Sequence, residues 1–265
     1  MMSNKLGCLV FLASLLLLEV HAQAGPELMR KRGPPLMRKR GSGVVKDPSE
    51  EGCVSWYPDS PWSCSDGSGI CMSDNNICDG FKVCDDGGDE NDCGWGETDG
   101  NGCTKPRQIG NTGIDDLKKQ ILDAHNYFRC LHGSPPLVWD KTLERFGKGV
   151  ATDNKNKGTI EHAKNNKYGE NLAMNMLESS DGITGFGFTK MWYDEIKDYN
   201  FNNPGFDWRT GHFTALLWKD TKKVGCDFDN RPDDFFTQFY VACEYDPPGN
   251  DMTGDAFEQN VLPLL

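Results

Sequence analysis

The chain has 265 residues, of which 40 are acidic and 28 are basic, so its formal net charge is −12. This balance argues against nucleic-acid binding, because a protein that binds phosphates needs clustered lysine and arginine. With 37% hydrophobic and 11% aromatic residues the chain can build a packed core, which excludes wholesale disorder. Its length suits one large domain or two smaller ones. Eleven cysteines are an odd number, so one thiol stays unpaired unless the chain is processed.

Residues 1–22 have the pattern of a secretory signal peptide. Lys5 precedes an apolar run from Leu6 to Leu18, and the segment ends on the small residue Ala22. The run is shorter than the about 20 residues that a membrane-spanning helix needs, and a signal anchor is the alternative interpretation. Removal of this segment also removes Cys8 and leaves ten cysteines. We therefore expect a secreted, extracellular protein with paired cysteines and no transmembrane anchor.

Residues 23–40 are predicted to be a basic propeptide. They contain an octapeptide written twice, at residues 25–32 and 33–40, and both copies end in Leu-Met-Arg-Lys-Arg. Proline and repeated like charges prevent a packed core, and clusters of three basic residues are typical of cleavage sites in secreted precursors. A basic tether to anionic surfaces is the alternative. The propeptide carries six basic residues and one acidic residue, and the signal peptide is neutral, so loss of both changes the net charge from −12 to −17.

Residues 53–93 form a cysteine-dense segment with six cysteines, nine acidic residues and a single lysine. So short a segment cannot bury enough apolar surface to fold without disulfides or a metal. Zinc is one option for the cysteines, but the paired C-x-x-C spacing of zinc sites is missing. Clustered oxygen ligands suit calcium better, and they lie at Asp79, Asp85, Asp86, Asp89, Glu90 and Asp92.

A first family resemblance lies in the run Cys78-Asp79-Gly80, followed by Cys84, Gly88-Asp89-Glu90 and Cys93. This pattern resembles the LDL-receptor class A repeat, which implies the disulfides Cys53–Cys71, Cys64–Cys84 and Cys78–Cys93. It also implies a calcium site with carboxylates from Asp79, Asp89 and Glu90 and backbone carbonyls from Asn76 and Phe81. Val83 stands where the family usually has a fourth carboxylate, and Asn76 where it usually has an aromatic residue. The missing carboxylate should weaken calcium binding.

The class A resemblance implies calcium-dependent docking of an extracellular protein, typically through a lysine of the partner. An acidic spacer held by disulfides alone is the alternative. Residues 94–110, which follow this segment, are rich in glycine and lack periodicity, as is typical of a linker.

The remainder of the chain reads as a mixed helix and strand domain. Apolar spacing predicts four helices, at residues 115–131, 140–154, 185–199 and 210–219. β-Branched and aromatic residues predict two strands, at residues 223–228 and 235–245. Because helices dominate the first part and strands the last, the predicted fold class is α+β or a layered αβα sandwich.

Five motifs in order carry a second resemblance. They are His125-Asn126-Tyr127-Phe128-Arg129, Gly169-Glu170-Asn171-Leu172, Trp192-Tyr193-Asp194-Glu195-Ile196, the run from Gly211 to Thr221, and the run from Tyr240 to Asn250. Residues 111–265 thereby resemble the CAP superfamily of cysteine-rich secretory, antigen 5 and pathogenesis-related 1 proteins, also called the SCP domain. The likeness is greatest to the Golgi-associated plant pathogenesis-related subgroup. The N-myristoyl anchor of that subgroup is not expected, because this chain begins Met-Met-Ser and continues as a signal peptide.

The CAP resemblance implies an αβα sandwich with a wide cleft and a tetrad in it, formed by His162, Glu170, Glu195 and His212. Two neutral imidazoles can bind zinc or another divalent metal, and two carboxylates beside them can hold a water molecule or accept its proton. Glu170 and Glu195 are therefore the candidate general bases of a metal-dependent hydrolase, although a catalytic zinc usually has three protein ligands. A hydrogen-bonded structural network, with metal incidental, is the alternative. His125 is expected to be structural, and Glu244 stands where the family usually has a polar or basic residue.

The same resemblance implies a disulfide between Cys226 and Cys243, and Cys103 and Cys130 are then left to pair with each other. The aromatic residues before the last predicted helix include Tyr199, Phe201 and Phe206. In some CAP proteins an aromatic loop in this region binds sterols and a gap between helices binds fatty acids. Ordinary core and rim positions are the alternative for these three side chains.

Three functions follow from the two resemblances. We favour a secreted binding or effector protein, with lipid, sterol or a receptor as the ligand of the CAP domain and an extracellular protein as the partner of the class A repeat. The second is a metal-dependent hydrolase that uses the tetrad, with Glu170 or Glu195 as general base; it is less favoured because catalysis is rarely secure in the family that the chain resembles. The third is a stored venom-type toxin or matrix component that is released after propeptide cleavage.

Overall fold

A computed structural model of the chain describes residues 62–66, 68, 70–73, 76–107, 114–177, 183–233 and 236–265, and the backbone of a further strand at Val44–Lys46. All of these residues belong to one compact unit, Pro35–Leu265. The predicted signal peptide, the predicted propeptide and Cys53 lie outside the described residues. Within the described part, no helix is long and apolar enough to cross a membrane.

The small acidic module contains a three-stranded antiparallel sheet and is cross-linked by disulfides. Its strands are β1 (Val44–Lys46), β2 (Trp62–Cys64) and β3 (Cys71–Met72), with β2 in the middle. The structure bonds Cys64 to Cys84 and Cys78 to Cys93, and Cys71 is also disulfide-bonded. Among the described residues of the module, the buried hydrophobic cluster contains Trp62, Met72 and two of these cysteines. Covalent cross-links therefore carry much of the stability of this module.

The large domain consists of helices around one mixed sheet. Its helices are α1 (Ile114–Leu131), α2 (Lys141–Lys157), α3 (Gly185–Tyr193), α4 (Gly211–Leu217) and α5 (Ala256–Asn260). Its strands are β4 (Val138–Trp139), β5 (Gly169–Leu177), β6 (Lys223–Pro232) and β7 (Thr237–Asp246). The strand order is β4-β6-β7-β5, in which β4 runs parallel to β6 and the other neighbours are antiparallel.

Helices cover both faces of this sheet. Successive side chains of a strand point to opposite faces, so the contacts of β7 report on both layers. Val241 and Cys243 pack in the core that contains α1, α3 and α4, whereas Ala242 packs against Val150 of α2. The domain is therefore a three-layer αβα arrangement, and the predicted mixture of helix and sheet is confirmed.

Two predicted features differ from the structure. The third predicted helix, at residues 185–199, ends at Tyr193 and is followed by a 3₁₀ turn at Asp194–Asp198. Strand β5 is absent from the prediction, because leucine, methionine and asparagine fill positions where strands usually show β-branched residues. It pairs with β7 along all nine of its residues. A partner distant in sequence, rather than local composition, makes this segment a strand.

Candidate functional site

Two histidine–glutamate pairs form the candidate site. Nδ1 of His162 lies 2.5 Å from Oε1 of Glu170, and Nδ1 of His212 lies 2.6 Å from Oε1 of Glu195. The His162 side chain is exposed and that of His212 is partly exposed, whereas the Glu170 side chain is only 5% exposed. In each pair a carboxylate holds one imidazole nitrogen, and Nε2 has no hydrogen-bond partner among the described residues.

The first pair is positioned by β5 and by the loop that follows α2. Asn154, buried near the end of α2, accepts the N–H of Glu161 at 3.2 Å and fixes the chain just before His162. Glu170 also accepts the N–H of Ala163 at 3.1 Å. Burial acts to raise the pKa of Glu170, but the hydrogen bonds from His162 and Ala163 outweigh it and hold that pKa below its usual value. The bond to Glu170 in turn raises the pKa of His162.

The second pair joins the 3₁₀ turn after α3 to the first turn of α4. Oε2 of Glu195 accepts the backbone N–H groups of His212 and Phe213, both at 3.1 Å. The same carboxylate therefore satisfies the end of α4 and holds the imidazole. Asn171, the neighbour of Glu170 on β5, donates from Nδ2 to the carbonyl oxygen of His212 at 2.9 Å. Strand β5 thus contacts both pairs.

A third carboxylate lies behind the first pair and is not among the predicted site residues. Glu244 on β7 is directly opposite Glu170 in the β5–β7 register and is fully buried. Nδ2 of Asn166 donates to both carboxylates, at 3.2 Å to Glu170 and 2.8 Å to Glu244. Burial, reinforced by the charge of Glu170, raises the pKa of Glu244 to about 8.

Glu244 therefore holds a proton at neutral pH. Its Oε1 is buried without a hydrogen-bond donor in the described part of the chain, as expected for an oxygen that itself carries the proton. The sequence marks Glu244 only as a departure from the last motif. The signal that could have found it is an acidic residue within the apolar run Tyr240–Tyr245, because a buried carboxyl group needs a proton or a partner.

His125, from the first motif, is a core residue. Its Nδ1 lies 2.7 Å from the carbonyl oxygen of Ile121, and its Nε2 lies 2.9 Å from the hydroxyl of Tyr245. The ring is fully buried, and burial lowers its pKa to about 4. Both nitrogens are engaged, so this histidine supports the fold rather than the cleft.

The three aromatic candidates for lipid or sterol binding do not share one surface. Tyr199 is buried, and its ring centroid lies 4.9 Å from that of Phe201 and 5.4 Å from that of Phe213. Phe206 is 51% exposed, with its ring 6.5 Å from that of Phe257. Of the three candidates, Phe206 alone is largely exposed.

The three carboxylates proposed for calcium interact with one another in the small module, where Asp79 and Glu90 are half-buried. Asp89 is fully buried and accepts the N–H of Val83 at 2.8 Å. Oε1 of Glu90 accepts the N–H of Gly80 at 3.1 Å, and Oε2 of Glu90 is buried without a partner in the described part. Burial raises the pKa of Asp79 to about 6, and burial together with the charge of Asp79 raises that of Glu90 to about 9. A cation beside these groups would offset the cost of ionising them.

The predicted ligand atom of Asn76 is its backbone carbonyl oxygen, and its side chain makes a separate contact. The side chain of Asn76 accepts the N–H of Ser73 at 3.2 Å. Within the described ranges, one group of three potential metal ligands has its ligand atoms within 4.8 Å of one another. It consists of Cys64, Asp66 and Cys84. Because Cys64 and Cys84 are bonded to each other, this trio is not a metal site.

Known proteins resemble the large domain. The family model described as "CAP: Cysteine-rich secretory protein family" matches residues 122–245. The chain is 36% identical over 155 residues to the Golgi-associated plant pathogenesis-related protein 1 of Homo sapiens, which covers 58% of this chain and 98% of that protein. It is 36% identical over 148 residues to the Secreted protein RBT4 of Candida albicans, which covers 54% of this chain and 39% of that protein. The solved structure of BmVAL-1 aligns with 56% of this chain and 85% of its own, at 21% identity and a TM-score of 0.44. The chain thus spans nearly all of the first relative and about two fifths of the second.

Proposed function

Because the chain belongs to the cysteine-rich secretory protein family, we propose that it is an extracellular binding protein whose cleft holds a divalent metal through His162 and His212. The observation that carries this proposal is the pairing of each imidazole with a carboxylate through Nδ1. Such a pairing keeps Nδ1 protonated and leaves the lone pair of Nε2 for a metal. Zinc suits two neutral imidazoles, whereas calcium and magnesium prefer oxygen ligands.

The engagement of the two carboxylates favours binding over hydrolysis. Glu195 accepts hydrogen bonds from the ring and backbone of His212 and from the backbone of Phe213. Glu170 is held in the same way by His162 and Ala163. A general base needs an oxygen within reach of the proton that it accepts, and a catalytic zinc usually has three protein ligands. Zinc would act as a Lewis acid when bound, but these residues orient the imidazoles more than they activate water.

Calorimetric titration with zinc at about pH 7.5 tests the metal proposal. The double variant His162→Gln with His212→Gln should lose the binding heat of the wild type. Glu161→Gln is the matched control, because this exposed side chain belongs to the neighbour of His162 in the chain and pairs with Lys157 at 2.8 Å. An unchanged titration in the double variant, or no heat in the wild type, refutes the proposal.

For the small module we infer a class A type of calcium site formed by Asp79, Asp89 and Glu90. The supporting observation is Oε2 of Glu90, a buried acceptor without a donor among the described residues. Without a cation the raised pKa of Glu90 keeps a proton on this group, and a hard cation would take the place of that proton. With Val83 in place of a fourth carboxylate, we expect a dissociation constant of about 1 mM, the weak end of extracellular calcium modules.

Thermal melting in about 10 mM calcium tests this site. If the dissociation constant is about 1 mM, calcium should raise the melting temperature of the wild type by about 4 °C. Glu90→Gln should abolish the rise. Asp92→Asn is the control, because Asp92 is exposed and its left-handed backbone, with φ of 56°, suits asparagine. Equal rises in all three proteins, or in none, would exclude this calcium site.

The extracellular location is the last part of the proposal. Its support is the name of the relative Secreted protein RBT4 and the disulfides of the described residues, which suit an oxidising compartment. Native mass spectrometry of protein collected from culture medium should show a chain that starts after Arg40. The same spectrum would reveal a copurified sterol or fatty acid. Protein retained inside the cell with its first 40 residues intact contradicts secretion and processing.

A further inference from the structure

Phe81 of the small module is buried in the core of the large domain. It is 6% exposed and belongs to the large cluster, not to the module's own cluster around Trp62. Its ring meets that of Phe188 edge-on, with centroids 5.4 Å apart. A methyl group added at Gly187 would lie 2.6 Å from Cζ of Phe81, closer than real contacts allow. The absence of a side chain at Gly187 therefore makes the notch that receives this ring.

The residue before Phe81 makes a second contact with the start of α3. The hydroxyl of Thr184 donates to the carbonyl oxygen of Gly80 and accepts the N–H of Gly187 at 3.1 Å. One side chain thus caps the helix and holds the module. Gly80 has φ of 90°, and a methyl group there would lie 2.8 Å from the backbone nitrogen of Gly187. Glycine is required at both contact points, which shows how closely the two backbones approach.

The segment predicted as a linker completes this contact. The ring of Trp95 meets that of Phe186 edge-on at 4.8 Å, and its Nε1 donates to the carbonyl oxygen of Glu90 at 2.9 Å. Nζ of Lys105 lies 3.9 Å from the centroid of Trp95 and donates to the carbonyl oxygen of Cys93 at 3.0 Å. A cation over an aromatic face stabilises such an arrangement. The disulfide from Cys103 to Cys130 ties the same segment to α1.

The negative charge of the small module near this contact also interacts with positive charge from the same chain. The acidic cluster of Asp79 and Glu90 interacts electrostatically with two lysines, Lys190 on α3 and Lys105 in the segment after the module. Burial lowers the pKa of Lys105 to about 8, and the nearby charge of Glu90 opposes that shift. Two lysines of the same chain therefore already interact with the charge of this cluster.

From these contacts we propose that the partner of the module's Asp79–Phe81 face is the first turn of α3 in the same chain, and that an outside protein reaches this face only after that contact opens. The small module then stabilises the large domain of the same chain, and this contact covers the module's own binding face. This proposal deepens the extracellular binding role, and it does not require bound calcium. It replaces the expected open docking site with a closed one.

The acidic cluster also holds the docking loop directly. Oδ1 of Asp79 accepts the N–H of Phe81 at 2.8 Å, and Oε1 of Glu90 accepts the N–H of Gly80 at 3.1 Å. The two carboxylates that would bind a cation thus orient the two residues that contact α3. Occupancy of the cluster by calcium should therefore tighten the contact rather than open it.

Amide hydrogen exchange followed by mass spectrometry on the secreted full chain tests the closed contact. Phe81→Ala removes the ring, and Gly187→Ala fills the notch. Both should make the amides of α3 exchange about tenfold faster or more, while those of β6 and β7 keep their protection. Gly149→Ala is the control, because Gly149 is also a helical glycine but has open space around it. It gains the same helix propensity and should leave exchange in α3 unchanged.

The outcome for Phe81→Ala decides the proposal, because β6 and β7 in the same protein report whether loss of a core ring has loosened the whole domain. Unchanged exchange in α3 overturns the closed contact. Combining this exchange result with the melting experiment in calcium separates the two proposals for the module. Faster exchange in α3 of the variant, with no melting shift of the wild type in calcium, keeps the closed contact and removes the calcium site. A melting shift without any change in α3 does the reverse.

Discussion

Replacing Glu244 with glutamine should flatten part of the dependence of stability on pH. Glu244 is fully buried opposite Glu170 and shares the amide of Asn166 with it. The pKa of Glu244 is raised to about 8, while that of Glu170 is held low. The folded protein therefore keeps a proton on Glu244 at neutral pH. Glutamine has the shape of the protonated acid and can donate to Glu170 and accept from Asn166 without any proton uptake.

The sign and size of this pH dependence of stability follow from the two pKa values of Glu244, in the unfolded and the folded chain. In the unfolded chain this glutamate titrates near 4.5, and in the folded chain near 8, so folding takes up a proton between these values. Stability from a group with a raised pKa is complete below pH 4.5 and is lost as the pH rises through 8. At about 1.4 kcal/mol per pH unit, the wild type should lose about 3 kcal/mol from this group between pH 4.5 and 7.

Urea unfolding, followed by tryptophan fluorescence at a series of pH values, measures this loss. The other titrating groups are common to both proteins, so the difference between their two curves isolates Glu244 together with its effect on Glu170. Relative to the wild type, the free energy of unfolding of Glu244→Gln should increase by about 3 kcal/mol from pH 4.5 to 7. Glu258→Gln, an exposed change on α5, should run parallel to the wild type. Parallel curves for Glu244→Gln as well would refute the shared proton.

Buried groups elsewhere give three further predictions. Burial lowers the pKa values of His125 and His132 to about 4. Their ring signals in NMR spectra should therefore not titrate near pH 6.5. The stability that their neutral rings provide is complete above pH 6.5 and is lost as the pH falls through 4. Replacing Cys103 and Cys130 with serine opens a bond between residues 27 apart and should lower the free energy of unfolding in urea by about 3–4 kcal/mol, whereas an unchanged midpoint contradicts this. Arg129→Met should cost more than about 3 kcal/mol in the same assay, since the buried guanidinium donates to the carbonyls of Pro135, Leu216, Trp218 and Thr221. A loss below 1 kcal/mol would show that those carbonyls find other donors.

The sequence predicts the helices of this fold well, because apolar spacing and capping residues lie within the helix itself or next to it. The spacing of apolar residues predicts a helix at residues 115–131, and α1 spans Ile114–Leu131. The third predicted helix is too long, since the capping threonine at Thr184 marks its start but no residue in the sequence marks its end at Tyr193. Strand β5 depends on pairing with β7, which no local pattern records.

The candidate site likewise has a part that the sequence predicts and a part that it does not. Motifs point to His162, Glu170, Glu195 and His212, and the structure pairs each histidine with one glutamate. The proton on Glu244 follows from a register that sets two carboxylates opposite each other across two strands. The notch for Phe81 follows from a missing side chain at Gly187, which a sequence reader sees only as a helix-weakening glycine. Both features arise from the meeting of residues that are distant in sequence, so spacing alone could not predict them.

Helix α3 links the two proposals, because its first turn receives Phe81 and its last residues lead to Glu195. Its far end is anchored independently: Nε1 of Trp192 donates to the carbonyl oxygen of Leu172 at 2.9 Å, and the Trp192 ring stacks on that of His212 with centroids 6.4 Å apart. Release of the first turn should therefore stay local. We expect Phe81→Ala to change zinc affinity by no more than about twofold, as for separate sites without shared partners. A larger loss of zinc affinity in calorimetry, absent from Gly149→Ala, would show that α3 moves as one rigid body and that the module controls the cleft.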